Sequence, residues 1–232
     1  MPASTSLRPQ LARLFRDPSM LESRGRWQSA GFDVTGEGRA SNIMVASHPS
    51  VPDYLFKRYS AKEVSLKKQL ENYQRRIEGA GRLRQFTAQQ LSRIAAPVKF
   101  LHALPQSSQK GAPDYVLVVE RMELLDSSDS KRLYRAMPDE DLRQLCTVLF
   151  TFGGLDSGTR NVSFTSTGRI AFIDTERWNE PRKDFLHNIR KYLSDDQRRF
   201  ADAFFKRRRP VSGISAVPSA TPARVARPAS PR

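Results

Sequence analysis

The chain has 232 residues, 38% hydrophobic and 27% charged, which suits one soluble globular domain or a small two-lobed one with tails. Its formal net charge is +15, but seven basic residues and no acidic one fall between Lys206 and Arg232, leaving 32 basic against 24 acidic residues before them. No apolar run approaches the ~20 residues that cross a bilayer. The first twenty residues lack the apolar core of a secretory signal peptide, and the one cysteine, Cys146, excludes an internal disulfide and reads as a core residue.

Residues 1–28 are Ser- and Arg-rich and read as a flexible N-terminal segment, with one short amphipathic helix around Leu11, Leu14 and Phe15. Three short strands are predicted near 31–35, 42–47 and 53–59, joined by Gly and Pro turns. The stretch from Ser60 to Ala96 follows as a helix, because Leu66, Leu70, Tyr73 and Ile77 recur every three or four residues, with Gly79 and Gly81 as candidate breaks. "PVKFLHAL" and "DYVLVVERM" are two more strands. "MPDEDLRQLCTVLFTFGG" is a helix with Pro138 at its first turn and acidic residues at the positive end of its dipole. "NVSF" and "RIAFID" are short strands about the turn "TSTG", and one or two helices close the ordered part, with Ser194 and Gln197 spaced as a capping box. The tail, residues 209–232, is rich in Pro, Ala, Ser and Arg and reads as disordered and basic.

Several positions carry chemistry. In "GEGRASN", Gly36 and Gly38 let backbone amides approach an anion, and Ser41 stands where a third glycine is common. Taken alone, that is an ordinary turn. Lys57 shares a strand face with Leu55, where an ammonium is costly unless it meets an anion. Glu71 and Glu78, seven residues apart on the helix, are candidate partners for it; Glu78 is preferred because Ile77 and Ala80 beside it are apolar. The strongest stretch is "GGLDSGTRNVSFTSTGRIAFIDTERW". Asp156 is followed five residues later by Asn161 and, thirteen beyond that, by Asp174 at the end of an apolar strand. Asn161 and Asp174 offer hard oxygen ligands for Mg²⁺, and Asp156 an acceptor for an attacking hydroxyl. Each residue alone also fits a turn satisfying backbone amides.

The order Gly-rich turn, strand lysine, helix glutamate, strand "VLVVERM", helix, Asp156 to Asn161, strand-end Asp174 resembles that of the protein kinase-like superfamily over about residues 30 to 205. The resemblance implies an α+β, minimal two-lobed fold: a five-stranded antiparallel N-lobe sheet with one main helix, and a truncated, mostly helical C-lobe. Residues 29–122 would be the N-lobe and hinge, and 123–208 the C-lobe. It implies ATP and Mg²⁺ as cofactors, with Gly36, Gly38 and Ser41 over the phosphates and Lys57 on them. Glu78 would hold the lysine, Glu120 and Met122 would offer backbone groups to adenine, Asp156 would be catalytic, and Asn161 and Asp174 would hold metal.

The pattern departs in places. Gly154-Leu155 replaces the His-Arg before the catalytic Asp, Gly158 replaces a lysine, leaving Arg160 to supply positive charge, and Asp174-Thr175-Glu176 replaces Asp-Phe-Gly. No Ala-Pro-Glu follows, and 56 residues after Glu176 leave no room for a full activation segment. So short a chain resembles the minimal kinases that bacteria deliver as type III effectors, among them a family that phosphorylates a host heat-shock chaperone. By that resemblance residues 1–28 hold a secretion signal, and the protein is a secreted Ser/Thr kinase acting in the host cytoplasm on a protein substrate. Otherwise it is cytoplasmic. The alternatives are a pseudokinase scaffold, or a kinase-fold enzyme that transfers AMP or phosphorylates a small molecule. A monomer is expected. Nucleic acid is not, since basic and aromatic residues do not interleave along one element.

Overall fold

The computed structural model describes residues 7–37, 43–59, 65–105, 115–156, 158–180 and 186–207. In chain order the first elements are α1 (Leu7–Leu14), a 3-10 turn (Pro18–Glu22), α2 (Arg24–Ser29), β1 (Asp33–Glu37), β2 (Ile43–Ser47), β3 (Tyr54–Tyr59) and α3 (Leu66–Gln90). After them come β4 (Ile94–Ala95), β5 (Lys99–Ala103), β6 (Tyr115–Glu120), α4 (Ser127–Arg135), α5 (Asp139–Phe152), β7 (Val162–Phe164), β8 (Ile170–Phe172) and α6 (Asp195–Arg207).

The first half is a five-stranded antiparallel sheet ordered β1-β2-β3-β6-β5. Alternation along β3 assigns its two faces. Leu55 and Tyr59, with Ile43, Leu117 and Val119, pack against Tyr73 and Ile77 of α3. Phe56, with Phe32, Met44 and Val118, packs on the other face against Leu7, Leu11, Phe15 and Trp27. Residues 7–29 therefore form helices that close the outer face of the sheet, with Phe15 edge-on to Phe56 at 5.1 Å between ring centres, where the sequence predicts a flexible segment over 1–28 with one short helix around Leu11, Leu14 and Phe15. The apolar area they remove from water is what holds them there.

Helix α3 runs 25 residues without a break, its start capped by the Ser65 hydroxyl accepting from the Lys68 N–H. The expected interruption at Gly79 and Gly81 does not occur. Gly79 instead marks a close approach, since a Cβ there would lie 2.3 Å from the Thr175 carbonyl oxygen.

The second half packs α4, α5 and α6 around a small sheet, β4-β8-β7, in which β4 runs parallel to β8. Tyr134, Leu142, Leu145, Cys146, Leu149, Ile170, Phe172 and Ile189 form its buried core. Cys146 is free and buried there, as read from the sequence. Helix α4 was not expected; its signal is Asp126, whose carboxylate caps the N–H groups of Ser128 and Asp129. At α6 the capping box forms: Ser194 N–H donates to Gln197 Oε1 at 2.8 Å, and Gln197 N–H to Ser194 Oγ at 3.2 Å. Among the described residues no helix is long and apolar enough to cross a membrane. The architecture is the expected α+β one, a five-stranded sheet with one main helix on its inner face, joined to a mostly helical half.

Candidate active site

Helix α5 ends at Phe152, and the chain passes through Gly153 and Gly154 into Leu155 and Asp156. A Cβ on Gly154 would stand 2.1 Å from the Arg177 carbonyl oxygen, so residues 177–180 can lie over this turn only because no side chain is there. That accounts for one departure from the His-Arg pattern. Among the described residues three donors hold Asp156: the Gly158 N–H at 2.9 Å and Asn188 Nδ2 at 3.1 Å on Oδ1, and Asn161 Nδ2 at 2.8 Å on Oδ2. Across the hairpin, Ile173 N–H donates to the Asn161 carbonyl at 2.7 Å, which sets Asn161 beside the strand end that leads to Asp174. The buried Tyr134 hydroxyl of α4 braces the same hairpin by donating to the Val162 carbonyl at 2.8 Å. Asp156, Asp174, Glu176, Arg177 and Asn188 line a cleft of about 260 Å³.

The sheet and α3 bring buried cations to residues 173–176, of which Asp174 and Glu176 line the cleft. Burial lowers the Lys57 ammonium to about 8 from 10.5; the Arg76 charge adds to that, and Asp174 opposes it. Lys57 and Asp174 are thus electrostatic neighbours, as the sequence reading requires, although Lys57 is not among the residues lining the cleft. Arg76, buried on α3, meets Asp174 Oδ1 at 3.2 Å and bonds Glu176 Oε2. Lys99, buried on β5, donates to the Ile173 carbonyl at 2.7 Å and to Thr175 Oγ1 at 2.9 Å. Its ammonium is pushed well below the usual range by burial and by Lys57. Burial would raise the Asp174 carboxyl, yet Arg76, Lys99, the Glu176 N–H and Lys57 together hold it below its ordinary value. It is therefore ionised at neutral pH.

The other expected site residues divide. Glu78 does not reach Lys57: it is exposed and bonds Arg82 one turn away at 2.9 Å. Glu71 pairs with Lys68. The reason is the phase of the helix. The buried positions of α3 are Gln69, Tyr73, Arg76, Ala80, Leu83 and Thr87, together with Gly79, so the inward face carries an arginine and turns Glu78 to solvent. Gly36 lies in β1 opposite Val45, next to a register shift. Gly38 and Ser41 fall outside the described residues, as do residues 208–232. Glu120 ends β6, its N–H donating to the Val98 carbonyl at 2.9 Å and its carboxylate accepting from the Val98 N–H at 2.8 Å. Met122 follows it, half-buried. Sequence reasoning did not find Arg76, Lys99, Glu176 or Asn188. Only Arg76 left a usable signal, its place in the 69-73-76-80-83-87 stripe.

The donor set suits Mg²⁺. Asn161 spends its amide N–H on Asp156 and keeps its carbonyl oxygen as an acceptor, while Asp174 supplies an ionised carboxylate. Among the described residues no group of three or more His, Cys, Asp and Glu side chains is arranged for a metal, so phosphate oxygens or water would complete the coordination.

The inner-face helix, the sheet, the helical half and the hairpin between them make an α+β arrangement consistent with a minimal two-lobed kinase-like fold. No family model matches the sequence, and no curated protein matches it. Among solved structures the chain is similar to a crystal structure of WbdD, at 16% identity and a TM-score of 0.36 over 63% of this chain. It spans about a third of that protein's length, 32%. A likeness this low carries no argument about function.

Proposed function

We propose that the chain is an ATP- and Mg²⁺-dependent phosphotransferase that moves the γ-phosphate to a Ser or Thr hydroxyl of a protein. One observation carries the reading: Asp156, Asn161 and Asp174 converge through the hairpin contacts, and the charges of Lys57 and Asp174 act on each other. Asp156 accepts the hydrogen bond of the attacking hydroxyl, and its three donors hold the carboxylate in place before substrate arrives. Asn161 and Asp174 would hold magnesium, whose charge offsets that of the phosphates when it is bound. Lys57, mostly protonated at pH 7, would hold phosphate oxygens.

Transfer of labelled phosphate tests the roles. Asp156→Ala is expected to keep nucleotide binding and lose turnover by about 10²–10⁴, whereas Asp174→Ala loses both. If the two variants transfer at the native rate, the assignment is wrong. Intact mass after incubation with ATP separates added phosphate from added AMP.

The finer reading is a secreted bacterial effector working in the host cytoplasm, with a chaperone as one candidate substrate. Phosphosite mapping in eukaryotic lysate, with Asp174→Ala as control, tests it; no new site above that control rejects it. A non-catalytic scaffold is favoured by one observation, the ion pair by which Arg76 already neutralises Asp174. Thermal unfolding unmoved by millimolar Mg-ATP would support the scaffold, because a ligand that binds the native state must stabilise it.

A further inference from the structure

One face of α3 is given over to residues 174–180. Arg75, Arg76, Gly79 and Arg82 lie at helical spacing on that face. Arg75 bonds Glu180 Oε1 at 2.7 Å, and Gly79 admits the Thr175 carbonyl. The Arg82 guanidinium lies 4.6 Å from the centre of the Trp178 ring. Between them the Thr175 hydroxyl donates to the Arg76 carbonyl at 2.7 Å. At the centre is the Arg76 side chain, with Nη1 on Asp174, Nη2 on Glu176, and a buried Nε that has no hydrogen-bond partner.

We propose that Arg76 is the positioning residue of this site. It fixes the Asp174 carboxylate directly from the main helix, where kinase-like sites use a helix carboxylate to fix the strand lysine. The inference rests on the phosphotransferase reading. Its physical basis is the cost of a buried guanidinium, which is tolerable only with charged partners in good geometry. Asp174 and Glu176, two residues apart in one short segment, supply both. Among the described residues no ion pair holds Lys57, so that ammonium is left for phosphate. The site then assembles when residues 174–176 dock on α3. It needs no swing of a helix glutamate toward the strand, and Glu78 pairs with Arg82 rather than with Lys57.

The test compares Arg76→Met, Arg76→Lys and Glu78→Gln with the full wild-type chain. Readouts are turnover, the Mg²⁺ concentration for half-maximal rate, ATP affinity without metal, and the unfolding midpoint. Arg76→Met is expected to lower turnover about a hundredfold and raise the Mg²⁺ requirement about tenfold, through loss of orientation at the metal ligand. Metal-free ATP affinity, which depends on Lys57, stays within about threefold. Arg76→Lys, which keeps the charge without the planar fork, recovers part of the turnover. If Arg76→Met gives no cooperative unfolding, Arg76→Lys decides: a native Mg²⁺ requirement and native turnover overturn the proposal. It is overturned equally if Glu78→Gln, rather than the Arg76 variants, raises the Mg²⁺ requirement. A wild-type chain that neither transfers phosphate nor responds to Mg-ATP overturns the phosphotransferase reading and this inference with it; one that transfers while the Arg76 variants match it overturns this inference alone.

Discussion

The two walls of the cleft are held by different physics. On the hairpin wall, Asp156, Asn161 and Asn188 come from within about thirty residues of one another and are joined by amide-to-carboxylate hydrogen bonds. On the helix wall, Arg76 and Lys99 reach residues 173–176 from about a hundred and about seventy-five positions away, Arg76 through ion pairs with Asp174 and Glu176, Lys99 through buried hydrogen bonds to the Ile173 carbonyl and the Thr175 hydroxyl. Hydrogen bonds between half-exposed groups orient a side chain, and removing one donor costs little stability. A buried cation is different, because deleting its partner strands a charge that water cannot reach. Damage to the helix wall should therefore appear first in folding, and damage to the hairpin wall first in turnover.

Thr175→Val makes the contrast sharpest. The side chain is fully buried, accepts from Lys99 and donates to the Arg76 carbonyl, and valine nearly matches its shape. Among the described residues Lys99 then keeps only the Ile173 carbonyl as a hydrogen-bond partner. Denaturant unfolding is expected to show a loss of about 2–3 kcal/mol. A loss under about 0.5 kcal/mol would mean that Lys99 is folded as a neutral amine and needs no hydroxyl.

The pH response comes next. Lys57 titrates in the folded chain near 8, below its ordinary 10.5, so metal-free ATP affinity should fall about tenfold between pH 7 and pH 9 as the ammonium is lost. Stability runs the opposite way. Below pH 8 the buried ammonium costs the folded state, and that cost is relieved as pH rises from 8 toward 10.5, where the unfolded chain still holds the proton. Affinity flat across pH 7–9 would take Lys57 out of the phosphate contacts.

Asn188→Ala probes the hairpin wall. Asp156 loses one of its three donors, and turnover should drop about fivefold, roughly 1 kcal/mol, with nearly native stability. A large fall in the unfolding midpoint instead would make Asn188 a structural bolt. The smallest effect on turnover is expected far from both walls. Gln197→Ala breaks half of the α6 capping box and the bonds of the buried Gln197 Nε2 to the Met137 and Arg135 carbonyls, and should cost about 1–2 kcal/mol of stability with turnover unchanged.

Legibility in the sequence follows the same division. Asp156, Asn161 and Asp174 were readable because a turn and a hairpin fix their relative places over nineteen residues. The sheet and the α6 cap were readable for the same local reason. The partner of the buried charge was not. Reading α3 through Leu66, Leu70, Tyr73 and Ile77 rotates the helix by one position from the buried stripe through Tyr73, Arg76 and Ala80; on that phase the candidates are Glu78 and Glu71, and Arg76 is not among them. Leu66 is in fact exposed. Helix α1 was readable from the spacing of Leu11, Leu14 and Phe15, but its docking, and helix α2 altogether, escaped because what orders them is the apolar face of a sheet built from later residues, including Phe32, Phe56 and Val118. Lys99 and Asn188 act through contacts 74 and 32 residues away, and no local pattern marks such contacts.

The most direct test of the central claim, one nucleotide-phosphate site shared by both walls, is calorimetric titration of Mg-ATP into the wild-type chain, Lys57→Met and Asp174→Ala. The account expects one nucleotide bound by the wild type and an affinity at least about tenfold weaker in each variant, since each removes a charge that faces phosphate or metal. Equal affinity in all three proteins, or no binding by the wild type, would contradict it.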